Sequence, residues 1–238
     1  MSRAIVVLPT YNEVENLPLI VPDILSQDPT LEVLVVDDHS PDGTGELADQ
    51  LANEDSRVHV LHRSHKEGLG PAYRAGLEKA IDLDADYIIQ MDADFSHPPD
   101  KLSELLHEIE THDVVLGSRY LNGITVVNWP IERILISWFG NVYARKISGL
   151  PVTDTTGGFR CMRRTFLERI GFQRSRSNGY AFQIEMNYRF VKHKARIKEI
   201  PFFFVDRTRG SSKLTLRIGL EALWVVWWLR IADRIGRL

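Results

Sequence analysis

Residues 87–99 read YIIQMDADFSHPP, where an apolar run ends in two aspartates, Asp92 and Asp94, and then in a pair of prolines. An apolar, β-rich run followed by acids, prolines and the stretch KLSELLHEI predicts a strand, a loop and a helix. Two carboxylates on such a loop can converge on one ligand. An isolated D-x-D pair is, however, more often a helix-capping turn with solvated acids. The rest of the sequence has to decide between these two interpretations.

The first 120 residues repeat this alternation. Short β-branched runs occupy residues 4–8, 32–36, 57–61, 86–91 and 113–117. Helical patterns lie between them, near 13–26, 44–54, 70–82 and 99–111. Strands that alternate with helices of this length predict an α/β fold, with a mostly parallel sheet flanked by helices on both faces.

Polar clusters follow three of the predicted strands. They read PTYNE (9–13), DDHSPDGT (37–44) and DADFSHPP (92–99). Ligands bind outside the carboxyl ends of the strands in open parallel sheets. We therefore expect the three clusters to form one site.

The pattern changes after residue 120. A helix is predicted over 130–149, a glycine-containing loop over 154–160, a helix near 181–193 and a strand across 197–205, followed by a cationic loop over 206–213. No linker separates this half from the first. We expect one catalytic domain over 1–213 and a carboxy-terminal amphipathic helix over 214–238.

The composition argues against several classes of function and site. The chain has 238 residues and a net charge of −3, which argues against general nucleic-acid binding because no excess of cations exists to displace counterions. The single cysteine, Cys161, excludes an internal disulfide and a cysteine-based zinc site. The sequence opens on a strand pattern without the features of a signal peptide, so we expect a cytoplasmic protein.

The tail has two interpretations. Trp224, Trp227 and Trp228 lie with Ile231 and Ile235 on a helical stripe. The uncharged segment, 222–229, is far shorter than the roughly 20 residues that span a bilayer. The helix either packs on its own domain or a subunit, or lies at a membrane interface, where tryptophan and arginine are favoured.

The acids point to a bound diphosphate. Carboxylates repel phosphate, so acids at a phosphate site act through a cation, and Mg²⁺ or Mn²⁺ prefers one or two carboxylates plus phosphate oxygens. Asp92 and Asp94 fit that demand. Asp37 and Asp38, at the end of the second strand, fit the binding of ribose hydroxyls.

The nucleotide is not predicted to be a dinucleotide, because PTYNE stands where the glycine-rich signature would follow the first strand. This leaves a mononucleotide site built from Pro9, Tyr11, Glu13 and Asp38. No P-loop and no G-x-S-x-G motif occurs.

Cations in the second half could bind phosphate. Arg119 follows the fifth strand, Arg133 follows an NWP turn, and Arg207, Arg209 and Lys213 lie in one loop. Each of these residue types is more often a solvated surface charge. Together with its glycine and serines, the loop could close over a diphosphate and offset the charge of the leaving group.

The motifs resemble a known family when they are taken in order. They are PTYNEVENLPLIV, VVDDHSPDGTGELA, HKEGLGPAYRAG, MDADFSHPP, GSRY, TGGFR, GYAFQIE and FVDRTRGSSK. This set, from about residue 5 to 214, is similar to glycosyltransferase family 2, and most of all to its dolichol- and polyprenol-phosphate mannosyltransferases. PTYNE and D-x-D recur across the wider family, whereas DDxSPDGT, GYxFQxE and FVDRxxGxSK are more specific.

The resemblance implies a Rossmann-like glycosyltransferase fold of type A. It implies GDP-mannose as the donor, a polyprenyl or dolichyl monophosphate as the acceptor, and Mg²⁺ or Mn²⁺ as the cofactor. Around the donor it places Pro9, Tyr11, Glu13, Val36, Asp38, Asp92, Ala93, Asp94, Arg119, Arg207 and Lys213.

The resemblance also implies particular roles. It assigns Asp92, Asp94 and Ser96 to the metal, although some relatives have glutamine in place of Ser96, and serine is a weaker ligand. It assigns Arg119 and Arg133 to the acceptor phosphate and, with Asp94, to catalysis.

The expected reaction is direct displacement, which inverts the sugar linkage. The acceptor phosphate is already anionic, so attack needs no strong general base. Two alternatives stay open: glucosyl transfer from UDP-glucose to the same lipid phosphate, and a non-catalytic nucleotide-sugar-binding scaffold. We expect a peripheral protein on the cytoplasmic face of the membrane surface, with a small membrane-anchoring partner as a further possibility.

Overall fold

The computed structural model describes residues 2–206 and 216–235, and for 216–222 it describes the main chain alone. The amino-terminal half alternates strands and helices, as its hydrophobic pattern predicts. In chain order the elements are β1 (Ala4–Thr10), α1 (Leu17–Gln27), β2 (Leu31–Asp37), α2 (Thr44–Glu54), β3 (Val58–His62), α3 (Leu69–Asp82), β4 (Tyr87–Gln90), α4 (Leu102–Ile109) and β5 (Val114–Ser118).

The second half is less regular. Its elements are β6 (Val126–Val127), α5 (Ile131–Ser148), β7 (Arg160–Arg163), α6 (Arg164–Arg169), α7 (Gly179–Lys192), β8 (Ile197–Pro201), β9 (Phe204–Val205) and α8 (Leu216–Arg234). The single strand expected across 197–205 is in fact β8 and β9, which belong to different sheets. Pro201 has no N–H to continue a ladder, and the chain leaves the large sheet directly after it.

Seven strands form one sheet in the order β3-β2-β1-β4-β7-β5-β8, while β6 and β9 pair separately. The strands β3, β2, β1 and β4 are parallel to one another, and β5 and β8 form another parallel pair. Only β7 runs antiparallel, between β4 and β5. The predicted mostly parallel sheet is confirmed, and the carboxyl ends of β1, β2 and β4 lie side by side.

Both faces of the sheet are buried. Ile5 and Val7 of β1 belong to one core cluster, which includes α3, α7 and α8. Val6 and Leu8 belong to the other, which includes α1 and α4. Successive side chains of a strand point to opposite faces, so a continuous apolar strand such as β1 requires helices on both sides.

Helix α3 lies unusually close to the sheet at Gly76. A Cβ at this position would lie 2.4 Å from Cγ1 of Val7 and 2.9 Å from Cγ2 of Val36. Only glycine permits this approach without displacing the strand residues. Tyr73, about one turn earlier on α3, is consequently buried against the sheet, with 0% of its surface exposed.

The carboxy-terminal helix α8 packs on its own domain, which is one of the two interpretations that the sequence left open; its location at a membrane interface stays a prediction. Val225, Val226 and Leu229 are buried in the core that α8 shares with α7. Trp224 and Trp227, in contrast, are 65% and 52% exposed. No helix in the described ranges is long and apolar enough to cross a membrane. The helix therefore packs on its own domain through one face and presents tryptophans on another.

Candidate functional site

The three polar clusters lie together at the carboxyl ends of β1, β2 and β4, and each contains a non-glycine residue with positive φ. Six non-glycine residues of the described chain have positive φ, and three of them lie in these clusters. They are Asn12 (φ 60°), His39 (φ 57°) and Phe95 (φ 61°). A bulky residue rarely adopts this conformation, and such strain concentrates at functional sites. This edge of the sheet is therefore the candidate site.

The D-x-D turn is held by hydrogen bonds to both of its aspartates. The Tyr73 hydroxyl donates to Oδ1 of Asp92 at 2.9 Å. The main-chain N–H of Asp92 donates to Nδ1 of His97, also at 2.9 Å. The main-chain N–H of Ser96 donates to Oδ1 of Asp94 at 3.1 Å. The turn is an organised structure and differs from a solvated helix cap.

The donor atoms of this turn fit a divalent cation that is shared with a diphosphate. No group of three or more histidine, cysteine, aspartate or glutamate side chains in the described part of the chain could hold a metal alone. The turn offers the carboxylates of Asp92 and Asp94, and the buried hydroxyl of Ser96 has no hydrogen-bond partner among the described residues. Oxygen ligands of this kind, completed by phosphate oxygens, are what Mg²⁺ prefers.

The predicted nucleoside residues meet at the ends of β1 and β2. Pro9 and Val36 are register partners on adjacent strands. The side chain of Asp38 pairs with Arg63, and burial raises the pKa of Asp38 although the Arg63 charge opposes this. The Lys66 ammonium lies 3.6 Å from the centre of the Tyr11 ring. Arg63 and Lys66 follow β3, and the sequence prediction did not include them.

Two further acids of these loops, Asp37 and Glu13, hold local structure through hydrogen bonds. Oδ1 of Asp37 accepts a 2.5 Å hydrogen bond from the Ser40 hydroxyl. The Asn16 amide donates to Oε2 of Glu13 at 2.8 Å. Asp37 thereby stabilises the turn after β2, and Glu13 stabilises the segment that precedes α1.

Arg119 is more buried than the sequence suggests. Its guanidinium forms a bidentate pair with Asp154, at 2.7 and 2.8 Å, and also donates to the Thr156 hydroxyl at 2.8 Å. Burial opposes the charged form, but the Asp154 carboxylate outweighs it and raises the pKa of Arg119. Its role in binding phosphate remains a prediction. The geometry shows a residue that fixes the loop before β7 beside the D-x-D turn.

Arg133 lies in the first turn of α5 and forms an ion pair with a carboxylate of the same chain. Its Nη1 donates to Oδ2 of Asp206 at 2.6 Å, and its guanidinium lies 4.0 Å from the centre of the Trp129 ring. This pocket of a cation, a carboxylate and an aromatic face is partly exposed, with a quarter of the Arg133 side chain accessible. A phosphate could replace the carboxylate there.

Phe204 connects this pocket to the D-x-D turn. Its ring packs edge-on against Trp129 at 5.2 Å and against His97 at 6.1 Å. The Arg119 guanidinium lies 5.6 Å from the same ring. Trp129 and Phe204 thus form a continuous run of ring contacts between Arg133 and Arg119.

The sequence prediction missed the buried partners of the site, which are Tyr73, His97 and Asp154. Tyr73 and His97 lie inside quoted motifs, and Asp154 lies at the start of the loop over 154–160. Nothing in their local sequence patterns distinguishes a ligand from a packed residue. The predicted Arg207 and Lys213 lie outside the described residues. Ala93 is buried in the D-x-D turn.

Comparison with known proteins gives a family. A model described as Glycosyl transferase family 2 matches residues 5–171. Undecaprenyl-phosphate mannosyltransferase of Micrococcus luteus is 46% identical over 221 residues, covering 93% of this chain and 91% of that protein. Polyprenol monophosphomannose synthase of Mycolicibacterium smegmatis is 44% identical over 238 residues, covering 99% and 90%.

Solved structures give the fold. Glucosyl-3-phosphoglycerate synthase from Mycobacterium tuberculosis, in complex with Mn²⁺, UDP and glucosyl-3-phosphoglycerate, matches with a TM-score of 0.65 and 18% identity over 99% of this chain and 80% of that one. S. aureus TarS 1–349 matches with a TM-score of 0.57 and 20% identity over 83% and 58%. The expected Rossmann-like fold of type A is confirmed.

Proposed function

The chain belongs to glycosyl transferase family 2, and from this membership we propose that it transfers mannose from GDP-mannose to a polyprenyl or dolichyl monophosphate. The observation that carries the proposal is the similarity, over nearly the whole chain, to two mannosyltransferases named for polyprenyl acceptors. The organised D-x-D turn supports it, because a non-catalytic scaffold would need no paired carboxylates beside a nucleotide site.

The donor nucleoside lies, in this proposal, across the ends of β1 and β2. Asp38 is the candidate partner of the ribose hydroxyls, as an acid at the end of the second strand often is in such folds. Tyr11 offers an aromatic face, on which Lys66 already lies. Pro9, Glu13 and Val36 line the same edge.

The diphosphate lies at the D-x-D turn. Asp92 and Asp94 would hold Mg²⁺ or Mn²⁺ there, with Ser96 as a third oxygen. The bound cation would act as a Lewis acid that neutralises charge on the departing GDP. A solved structure with this fold contains Mn²⁺ together with UDP, which is consistent with a divalent ion at this place. Arg207 and Lys213 would contribute further positive charge to the diphosphate.

The acceptor phosphate binds at Arg133, where it would displace the Asp206 carboxylate. Both anions are oxygen acceptors that suit a guanidinium. Arg119, across the Phe204 ring, would add positive charge on the other side. Because the arginines bind the phosphate without protonating it, its attacking oxygen stays nucleophilic.

The reaction is then a single displacement. An acceptor phosphate oxygen attacks the anomeric carbon of mannose, and the bond from this carbon to the β-phosphate of GDP breaks. GDP leaves with the electron pair of that bond. Because the attacking phosphate oxygen is already anionic, no proton has to be removed from it and no catalytic base is required. Positioning supplies most of the catalysis, and the α-linkage of the donor becomes a β-linkage.

An exposed apolar surface supports contact with a membrane, which we propose to be at its cytoplasmic face. On α5, Ile136 and Phe139 are 70% and 61% exposed, and Trp224 and Trp227 of α8 are similarly open. The Trp227 indole donates to the Tyr143 hydroxyl at 2.8 Å, so the two helices are joined. Large exposed apolar patches mark membrane or protein contacts. Arg133 lies in the first turn of α5, so contact of this surface with a membrane would bring the acceptor phosphate near the lipid head groups. A small anchoring partner could bind the same surface.

The donor is tested by incubating the protein with polyprenyl phosphate, Mg²⁺ and either radiolabelled GDP-mannose or radiolabelled UDP-glucose. We expect label in the lipid fraction from GDP-mannose only. Label transferred from UDP-glucose alone would show that the protein is a glucosyltransferase for the same lipid phosphate. Binding of GDP-mannose without turnover would indicate the scaffold alternative.

A further inference from the structure

Three motifs that carry no role in the proposed reaction meet beneath the D-x-D turn. They are GLGPAYRAG on α3, TGGFR leading into β7, and GYAFQIE on α7. The buried residues with polar groups that they contribute include Tyr73, Arg160 and Gln183. Polar side chains with so little exposure require partners, because leaving them unpaired costs free energy.

Tyr73 has one polar partner. Its ring stacks on Phe182 with the two planes 7° apart and the centroids 6.1 Å apart. Its hydroxyl donates to Oδ1 of Asp92 at 2.9 Å. Burial, reinforced by the Asp92 charge, raises the pKa of Tyr73 well above its ordinary value, so the hydroxyl keeps its proton and remains a donor.

Arg160 lies behind Tyr73 and is fully buried. Its Nη2 donates to Oε1 of Gln183 and to the carbonyl of Gly157, both at 2.7 Å. It makes no ion pair within the described residues, and its Nε and Nη1 have no partner there. Burial lowers the pKa of Arg160 to about 10, so it stays charged at neutral pH.

Gln90 adds to this cluster. It is the register partner of Arg160 across β4 and β7, so both side chains lie on the same face of the sheet. The amide of Gln90 is buried and has no partner among the described residues. Arg160 has no ion pair within the described residues, and the neighbouring Gln90 amide has no partner there. Such an arrangement would be costly if its only role were to stabilise the fold.

We propose that Tyr73 is a positioning residue that fixes Oδ1 of Asp92 and leaves Oδ2 to bind the cation, with Arg160 supporting this arrangement from beneath. The role rests on the proposed function, because it assigns Asp92 to the cation of the donor diphosphate. Partners that orient the ligands of a metal in this way typically change metal affinity or activity by roughly 10-fold to 100-fold when they are removed.

The test uses Tyr73→Phe, which keeps the stacked ring and removes the hydroxyl alone. Mn²⁺ is titrated into the full-length protein with GDP present, and the dissociation constant is measured by electron paramagnetic resonance. We expect Mn²⁺ to bind roughly 10-fold more weakly than to wild type. The thermal midpoint without metal should change little, because the freed Asp92 oxygen is near solvent.

The matched control is Tyr188→Phe. The Tyr188 hydroxyl donates to Oδ2 of Asp233 at 3.1 Å, which is the same kind of bond between α7 and α8, away from the turn. This variant should bind Mn²⁺ as wild type does. Transfer by Tyr73→Phe should recover as Mn²⁺ is raised, whereas a general packing defect would not respond to Mn²⁺.

Two results would overturn the proposal, and they are distinguishable. Equal Mn²⁺ affinity of wild type and Tyr73→Phe would reject the positioning role and leave the proposed function standing. Absence of Mn²⁺ binding by wild type in the presence of GDP would reject the assignment of the D-x-D turn to the cation, and the role of Tyr73 with it.

Discussion

The main-chain N–H of Asp92 donates a hydrogen bond to Nδ1 of His97, a side chain that is 2% exposed. The imidazole stacks on Phe159, with ring centroids 5.0 Å apart. Burial lowers the pKa of His97, although Asp92 and Asp94 partly oppose this. A neutral imidazole that accepts at Nδ1 therefore fixes the backbone of the first aspartate of the turn, while Tyr73 fixes its carboxylate.

The first prediction separates the two roles of His97, which are to accept the hydrogen bond from the Asp92 N–H and to pack its ring on Phe159. His97→Leu removes the acceptor, and an N–H left without a partner costs about 1 kcal/mol where it is only partly buried. His97→Asn loses the ring as well but retains an oxygen near the position of Nδ1. We expect the leucine variant to transfer mannose about 5-fold more slowly than the asparagine variant, since about 1.4 kcal/mol corresponds to a factor of ten. Equal rates, measured with excess Mn²⁺, would show that only the packing of the ring matters.

The second prediction concerns the two carboxylates. Asp92→Ala and Asp94→Ala should each lower transfer at least about 100-fold, because a diphosphate without its cation is a poor leaving group and a metal supplies several kcal/mol of stabilisation. Excess EDTA should have the same effect on wild type. Asp100→Ala removes an exposed acid just beyond the turn and serves as the control. Full activity of either variant, or full activity in EDTA, contradicts the assignment.

The third prediction concerns the apolar surface of α8. Replacing Trp224 and Trp227 by serine should reduce binding to liposomes and activity on long-chain polyprenyl phosphate, with little change in the thermal midpoint, because both side chains are more than half exposed. Activity on a short water-soluble acceptor should persist. Trp228→Ser is the comparison variant: this residue packs against the core, so its loss should lower the thermal midpoint instead. An equal loss on both acceptors would assign the exposed tryptophans to folding.

The fourth prediction is an acid dependence of stability away from the site. Arg196 binds Asp113 at 2.9 Å where β5 and β8 begin, and this hydrogen bond lowers the pKa of Asp113 below 3.8. A lowered carboxyl pKa stabilises the fold above pH 3.8, and the contribution is lost as the pH falls through the folded value. Asp113→Asn should lower the urea midpoint at pH 6, and its difference from wild type should shrink below about pH 4. A difference that stays constant from pH 7 to pH 3 would exclude this ion pair as its source.

The architecture was predicted correctly where the hydrophobic pattern of the sequence is periodic. The β-branched runs that became β1 to β5 alternate regularly with helical patterns, and their order implied a parallel sheet. The glycine loop over 154–160 indicated that a strand follows, which is β7. The antiparallel direction of β7 was not foreseen, because four residues carry no periodic signal that fixes their direction in the sheet. The break after Pro201 was missed for a similar reason: the apolar run continues in sequence while the chain moves to another sheet.

The site was predictable to the extent that it lies at strand ends. Asp38, Asp92 and Asp94 were found because acids directly after buried strands must meet at one edge. Tyr73 and His97 were not found, because a tyrosine in a helix and a histidine before prolines are ordinary in sequence. Only the folded chain brings the Tyr73 hydroxyl, 19 positions away, to Asp92.

The configuration of the product tests the central claim most directly. Wild-type protein is incubated with GDP-mannose, polyprenyl phosphate and Mg²⁺, and the lipid product is examined by nuclear magnetic resonance at the anomeric carbon. Direct displacement by the acceptor phosphate predicts polyprenyl phosphate carrying β-linked mannose, with formation abolished by EDTA. A product with α-linked mannose, or no mannosylated lipid from a folded protein that binds GDP, would contradict the account.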